Sequence, residues 1–122
     1  RAYLGVGEHG QLGELVCLDD SSGELIWSYP LDGGVKASPA VSVNDGEVRI
    51  CFVTAKVDTS AYCIEDTGRE GELLWSFNPP DKGYAVGSVA ISGGSVYFGT
   101  DSGTLYCLSD EAGEEGGFEN KT

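Results

Sequence analysis

The sequence predicts an all-β chain, a fragment of a β-propeller made of four-stranded antiparallel blades. Three observations predict it. Within 122 residues the chain repeats itself, with Trp27 and Trp75 a step of 48 apart (27 to 75), Cys63 and Cys107 a step of 44 (63 to 107), and Ser38-Pro-Ala-Val-Ser matching Ser88-Val-Ala-Ile-Ser at a step of 50 (38 to 88). Periods of this length belong to propeller blades or solenoid turns. Short runs of Val, Ile, Tyr, Phe and Leu alternate with Gly, Asp, Asn and Ser clusters, and no 3.6-residue apolar period appears. The middle period holds four such runs, the strand number of a blade.

In order, strands are expected at 2–7, 14–19 and 24–29, then at 36–43, 48–54, 60–65 and 72–77, and finally at 84–92, 95–100 and 104–108. Asp45-Gly46, Ser92-Gly-Gly-Ser95 and Asp101-Ser-Gly-Thr104 connect them as tight hairpins, since Gly and Asp tolerate the positive φ such turns need. Residues 1–109 therefore read as a partial propeller with blade pieces 1–31, 36–78 and 84–109. The first piece lacks its opening strand and the last its closing strand. The acidic, Gly-rich segment 110–122 reads as a flexible tail, so the closing strand of the last blade is expected from elsewhere. Arg1 to Tyr3 already reads as the entry to a strand, which anticipates sequence upstream.

Twenty Asp and Glu against seven Lys and Arg give a net charge of −13. Without clustered cations there is no counterion-release footprint for nucleic acid or an anionic membrane, and no apolar run reaches the ~18 residues of a membrane span. The acidity reads as a solvated surface. Four cysteines, Cys17, Cys51, Cys63 and Cys107, form no C-x-x-C spacing for metal or redox work.

The residues that discriminate between propeller families are a small residue, an acid two positions on, a turn, a Gly, and a Trp four positions later. Copy one supplies Cys17, Asp19, Gly23 and Trp27; copy two supplies Cys63, Glu65, Gly71 and Trp75 with a longer turn. This pattern resembles the Ala-x-Asp-x-x-x-Gly-x-x-x-Trp docking motif of quinoprotein-type (PQQ-like) repeats, with Cys for Ala, and Val96-Tyr-Phe-Gly-Thr-Asp-Ser-Gly-Thr-Leu-Tyr106 is equally typical of them. WD40 blades want Asp after Trp, where Ser28 and Ser76 stand here, and kelch blades want a double Gly at a strand end, unlike Gly93-Gly94. The physics suits the residue types. An outer-strand Trp packs on the neighbouring blade while its indole N–H donates to a main-chain carbonyl, the acid holds the hairpin, and the Gly supplies a positive φ. Cys17, Cys63 and Cys107 are then one small buried position in three blades. Cys51 falls opposite Cys63 across a hairpin, so these two form a candidate cross-strand thiol pair.

The resemblance also raises a PQQ-dependent dehydrogenase, whose activity needs the axis of a complete ring, a Ca²⁺-held quinone, a catalytic Asp and commonly adjacent cysteines. None of these can be placed on this sequence, so no catalytic, cofactor-binding or metal-binding residue and no cofactor is assigned. His9 sits in a loop without partners, and Asp19-Asp20 and Glu65-Asp66 are explained by turns better than by Ca²⁺. The expected role is a non-catalytic scaffold for protein interaction or assembly. The alternative is the C-terminal portion of a larger quinoprotein enzyme whose active-site residues lie outside the chain. Expected partners are a protein or the remaining blades of a parent propeller, with self-association through open blade faces also in view. The resemblance implies a periplasmic, extracellular or cell-surface location.

Overall fold

Alternating apolar runs and tight turns produce twelve strands and no helix among the described residues of the computed structural model, which are 1–7, 12–35, 37–55, 59–80, 83–85, 87–110 and 118–120. The strands are β1 (Ala2–Gly7), β2 (Gly13–Leu18), β3 (Leu25–Leu31), β4 (Gly34–Val35), β5 (Ala40–Asn44), β6 (Glu47–Ala55), β7 (Thr59–Asp66), β8 (Gly71–Phe77), β9 (Ala90–Ser92), β10 (Ser95–Gly99), β11 (Thr104–Ser109) and β12 (Phe118–Asn120). They form three antiparallel sheets, β1-β2-β3, β5-β6-β7-β8 with β4 also on β6, and β9-β10-β11-β12. We refer to them as the first, middle and last blades.

The register aligns the blades position by position. Tyr3, Cys51 and Tyr97 lie opposite Cys17, Cys63 and Cys107. Because side chains alternate across a strand, each blade offers one apolar face to each neighbour. Leu15, Cys17 and Trp27 of the first blade meet Ile50, Phe52 and Ile64 of the middle blade in one core. Cys51, Cys63 and Trp75 of the middle blade meet Val96, Phe98, Tyr106 and Leu108 of the last in the other. Both cores lie between sheets.

Three expectations change. The strand expected at 36–43 begins only at Ala40 as β5, after Pro39, which has no N–H to give the ladder, and a separate two-residue strand, β4, precedes it on the same neighbour β6; Lys36 lies outside the described residues. The strand expected at 84–92 shrinks to β9 plus an isolated bridge from Ala85 to Thr100, which repeats the pairing of Val35 with Thr54. The tail is not wholly apart from the sheet. Phe118–Asn120 pairs antiparallel with Tyr106, Leu105 and Thr104, so the last blade takes its fourth strand from the chain itself, and Asp110 is buried. Residues 111–117 lie outside the described residues. The hairpin turns match their residues, with Asp45 at φ 52° and Gly46 at φ 81°.

Candidate inter-blade docking site

Polar side chains converge where the first and middle blades meet. Trp27 on β3 is buried opposite Cys17, and its Nε1–H donates to Asp66 Oδ1 across the junction at 3.0 Å. The same carboxylate, 4% exposed, accepts from the Tyr3 hydroxyl at 2.6 Å, from Arg1 Nη1 at 2.8 Å and from the Gly68 N–H at 2.8 Å. The Cys17 thiol points at Oδ2 from 3.7 Å. A second guanidinium nitrogen of Arg1 donates to the Gly68 carbonyl at 2.8 Å.

A carboxylate withdrawn from water is stable as an anion only when hydrogen bonds and a counter-charge replace hydration. Burial alone would raise the Asp66 pKa, yet the bonds from Tyr3, Gly68, Trp27 and Arg1 outweigh it and hold the group down at about 2. The opposite effect falls on its donors. Burial first, then the bond to Asp66, raises the Tyr3 phenol, and burial followed by the Asp66 charge raises the Cys17 thiol. The donors therefore stay protonated and the acceptor stays charged. Gly71 completes the seat, since a Cβ there would stand 2.6 Å from the Trp27 ring. Only glycine lets the indole lie on β8.

The junction between the middle and last blades repeats these positions with a different acceptor. Trp75 Nε1 donates to the Asp110 main-chain carbonyl at 3.1 Å, and the Cys63 thiol approaches the same oxygen at 3.7 Å. Arg49 Nη1 pairs with the Asp110 carboxylate at 3.4 Å while Nη2 donates to Glu47 at 2.9 Å. Its Nε is buried without a hydrogen-bond partner. The Asp110 N–H donates to Gly94 at 2.9 Å, which fixes the carbonyl. Phe77 and Tyr106 meet edge to face across this junction with centroids 5.6 Å apart. Arg1 and Arg49 are equivalent by register, and Asp66 and Asp110 each follow their blade's cysteine by three residues, 63 to 66 and 107 to 110. Asp20 has that place in the first blade and is exposed.

Of the residues singled out from sequence, Asp19 caps its own turn, accepting from the Ser21 N–H at 2.8 Å, the Ser21 hydroxyl at 2.7 Å and the Ser22 N–H at 3.2 Å; the Ser21 hydroxyl and then these N–H groups lower its pKa. Gly23 has φ +76°. In copy two the roles move. Glu65 lies across from Glu72, and Asp66 accepts from the turn N–H instead. Gly71 has no positive φ; Gly68, at +100°, turns the chain. The two inserted residues lengthen the hairpin beyond the bulge after Cys63, which carries the capping acid one position on. Cys51 and Cys63 lie opposite each other with sulfurs 3.2 Å apart, as free thiols. The contact with Cys63, then burial, pushes the Cys51 thiol up, so Cys51 is held as a neutral thiol. Sequence reasoning missed Arg1, Tyr3, Arg49, Asp66 and Asp110. A signal for the arginines existed, since residues 1 and 49 share the 48-residue step of the tryptophans.

Arg1, Tyr3 and Trp27 donate across the first junction and Trp75 across the second, and among the described residues no group of three or more His, Cys, Asp or Glu is placed to hold a metal ion. Asp19 is used in its own turn and Cys51 and Cys63 face one another inside a sheet, so these residues do not fit a Ca²⁺-held quinone. His9 lies outside the described residues.

Antiparallel sheets stacked face to face through apolar cores define a segment of a β-propeller of the PQQ-like repeat class. The family described as "Outer membrane protein assembly factor BamB" matches residues 3–115, and the chain belongs to that family. The crystal structure of BamB from Moraxella catarrhalis is similar with a TM-score of 0.58 at 16% identity, over 90% of this chain and 33% of that one. At that identity the likeness is one of fold. The chain spans about a third of that structure's length. No curated protein matches, and among the described residues no helix is long and apolar enough to cross a membrane.

Proposed function

We propose that the chain is a non-catalytic propeller scaffold that presents loops and strand edges to a protein partner, as part of an assembly. One observation carries this reading: the side chains that the fold brings together, Arg1, Tyr3, Trp27 and Asp66, then Arg49, Trp75 and Asp110, bind one blade to the next. Such residues build a rigid platform and leave recognition to its exposed surface. The blade-docking roles of Cys17, Asp19, Gly23, Trp27, Cys63, Gly71 and Trp75 belong to this proposal. Likeness to an outer membrane assembly factor favours a partner in the cell envelope and a periplasmic or cell-surface location.

Because two thirds of the similar BamB structure have no counterpart here, a second reading is kept, in which the chain is one portion of a larger quinone-dependent dehydrogenase. One pair of assays separates them. The chain is titrated with the soluble domain of an outer-membrane assembly protein, and the chain joined to the remaining blades of its parent propeller is assayed for dye reduction by alcohols or sugars with added PQQ and Ca²⁺. The scaffold predicts saturable binding without PQQ-dependent turnover. Turnover without binding overturns it.

A further inference from the structure

The register gives the middle blade a pairing that its neighbours lack. Where β1 faces β2, Tyr3 stands opposite Cys17, and where β10 faces β11, Tyr97 stands opposite Cys107. At the same position of β6 and β7 the pair is Cys51 opposite Cys63. Cys63 is the small residue that the repeat uses three times. Cys51 stands where the repeat elsewhere has tyrosine, so the repeat does not account for it. The two sulfurs are 3.2 Å apart, roughly 1 Å beyond the length of a disulfide bond, and both residues are 0% exposed.

What closes over the pair comes from further along the chain. Val96, Phe98, Tyr106 and Leu108 of the last blade share one core with Cys51, Cys63 and Trp75. The Cys63 thiol also points at the Asp110 carbonyl from 3.7 Å, the oxygen that takes the Trp75 indole. Thiol–disulfide exchange needs a thiolate and an open line of approach to it. The finished fold denies both. Contact with Cys63 and burial hold the Cys51 thiol neutral, and neither residue has exposed surface for an oxidant to reach. Both conditions are met earlier, because the β6–β7 hairpin, residues 47–66, contains both cysteines and pairs them without any residue of the last blade.

We propose that Cys51 and Cys63 are a disulfide-forming site, oxidised in the β6–β7 hairpin before the last blade packs on it, and that the last blade then seals the bond against reductant. The oxidant is itself a disulfide, small or protein-borne. The thiolate of one cysteine attacks it, forming a mixed disulfide and releasing the first thiolate of the oxidant. The thiolate of the other cysteine then attacks the cysteine sulfur of that mixed disulfide, forming the Cys51–Cys63 bond and releasing the second. The two cysteines lose two protons and two electrons, and the oxidant leaves as two thiols. The bond also takes the Cys63 hydrogen from the Asp110 carbonyl and leaves that oxygen to the Trp75 indole. The inference uses the register and burial of the pair and is independent of the scaffold reading.

The test compares oxidation during folding with oxidation after it. The full chain is reduced and unfolded in urea, refolded in a mixture of reduced and oxidised glutathione, then denatured, alkylated without reduction and mapped by peptide mass. Two of the four cysteines should escape alkylation, with the bond joining residues 51 and 63. Chain folded first under reducing conditions and then given the same mixture should oxidise at least about tenfold more slowly, because the last blade must open first. Once formed, the bond should resist dithiothreitol by a similar factor until urea is added. Cys51→Ala should keep all its remaining thiols in the same mixture. Four outcomes overturn the proposal: every thiol free after oxidative refolding, a bond that involves Cys17 or Cys107, glutathione retained on Cys51 or Cys63, or equal rates for the folded and the refolding chain.

Discussion

The two junctions use the same repeat positions and finish them differently. Between the first and middle blades the Trp27 indole ends on a carboxylate, which also collects Tyr3 and Arg1. Between the middle and last blades the Trp75 indole ends on a main-chain carbonyl, and the carboxylate of the same residue takes Arg49 alone, at a longer distance. The first junction is thus held by a charge that must be kept ionised, the second by a peptide group that cannot titrate. A repeat conserves the donor and leaves the acceptor to local backbone geometry.

The largest expected effect treats the junctions as equal. Trp27 and Trp75 are each buried between blades, so Trp27→Ala and Trp75→Ala should each cost about 3–5 kcal/mol in urea unfolding. A small loss for either one would show that its junction is held by something else. Replacing the acids separates the junctions. Asp66→Asn should cost about 2 kcal/mol, because it weakens the charge-assisted hydrogen bonds that the nearly buried acceptor takes from Trp27, Tyr3 and the Gly68 N–H. Asp110→Asn keeps the carbonyl that Trp75 uses and should cost about 1 kcal/mol. Equal losses would mean that the Asp110 carboxylate matters more than its geometry indicates.

Acid sharpens the same contrast. The Asp66 pKa is depressed to about 2, so its contribution is fully present above the ordinary carboxylate pKa and is lost as pH falls through the folded value. Between about pH 4 and pH 2 the chain should lose on the order of 2 kcal/mol through this group, and Asp66→Asn should abolish that part of the pH dependence. An unchanged slope in the variant would place the acid sensitivity elsewhere. The smallest effect compares the motif glycines. Gly71→Ala drives a methyl into Trp27 and should cost about 2 kcal/mol by overpacking, whereas Gly23→Ala strains only an open turn and should cost about 1 kcal/mol. Tryptophan fluorescence should shift in the first and not in the second.

Much of this was legible in the primary structure. Alternation and turn residues located the first strand to the residue, and the Trp and Cys spacing showed the repeat, because both signals are local. The late start of β5 at Ala40 follows from the missing donor of Pro39. Spacing from Cys63 points to Glu65, yet in the longer hairpin Asp66 accepts from the Gly68 N–H, a choice that depends on the turn's backbone and not on spacing. Arg1 and Arg49 shared the repeat step, yet charged residues at strand ends look like solvated surface until a partner is in view.

By itself the sequence determined most of the strands, the repeat and the indole donors, since two-residue alternation, turn-forming glycines and a periodic indole need no distant information. Tertiary structure decided the acceptors, the closure of the last blade and the seat under Trp27. Trp27 and Asp66 are 39 residues apart and Trp75 and Asp110 are 35 apart, and every non-proline residue carries the same carbonyl as Asp110. Only the packing of one sheet on the next selects which carbonyl, which carboxylate and which glycine an indole meets.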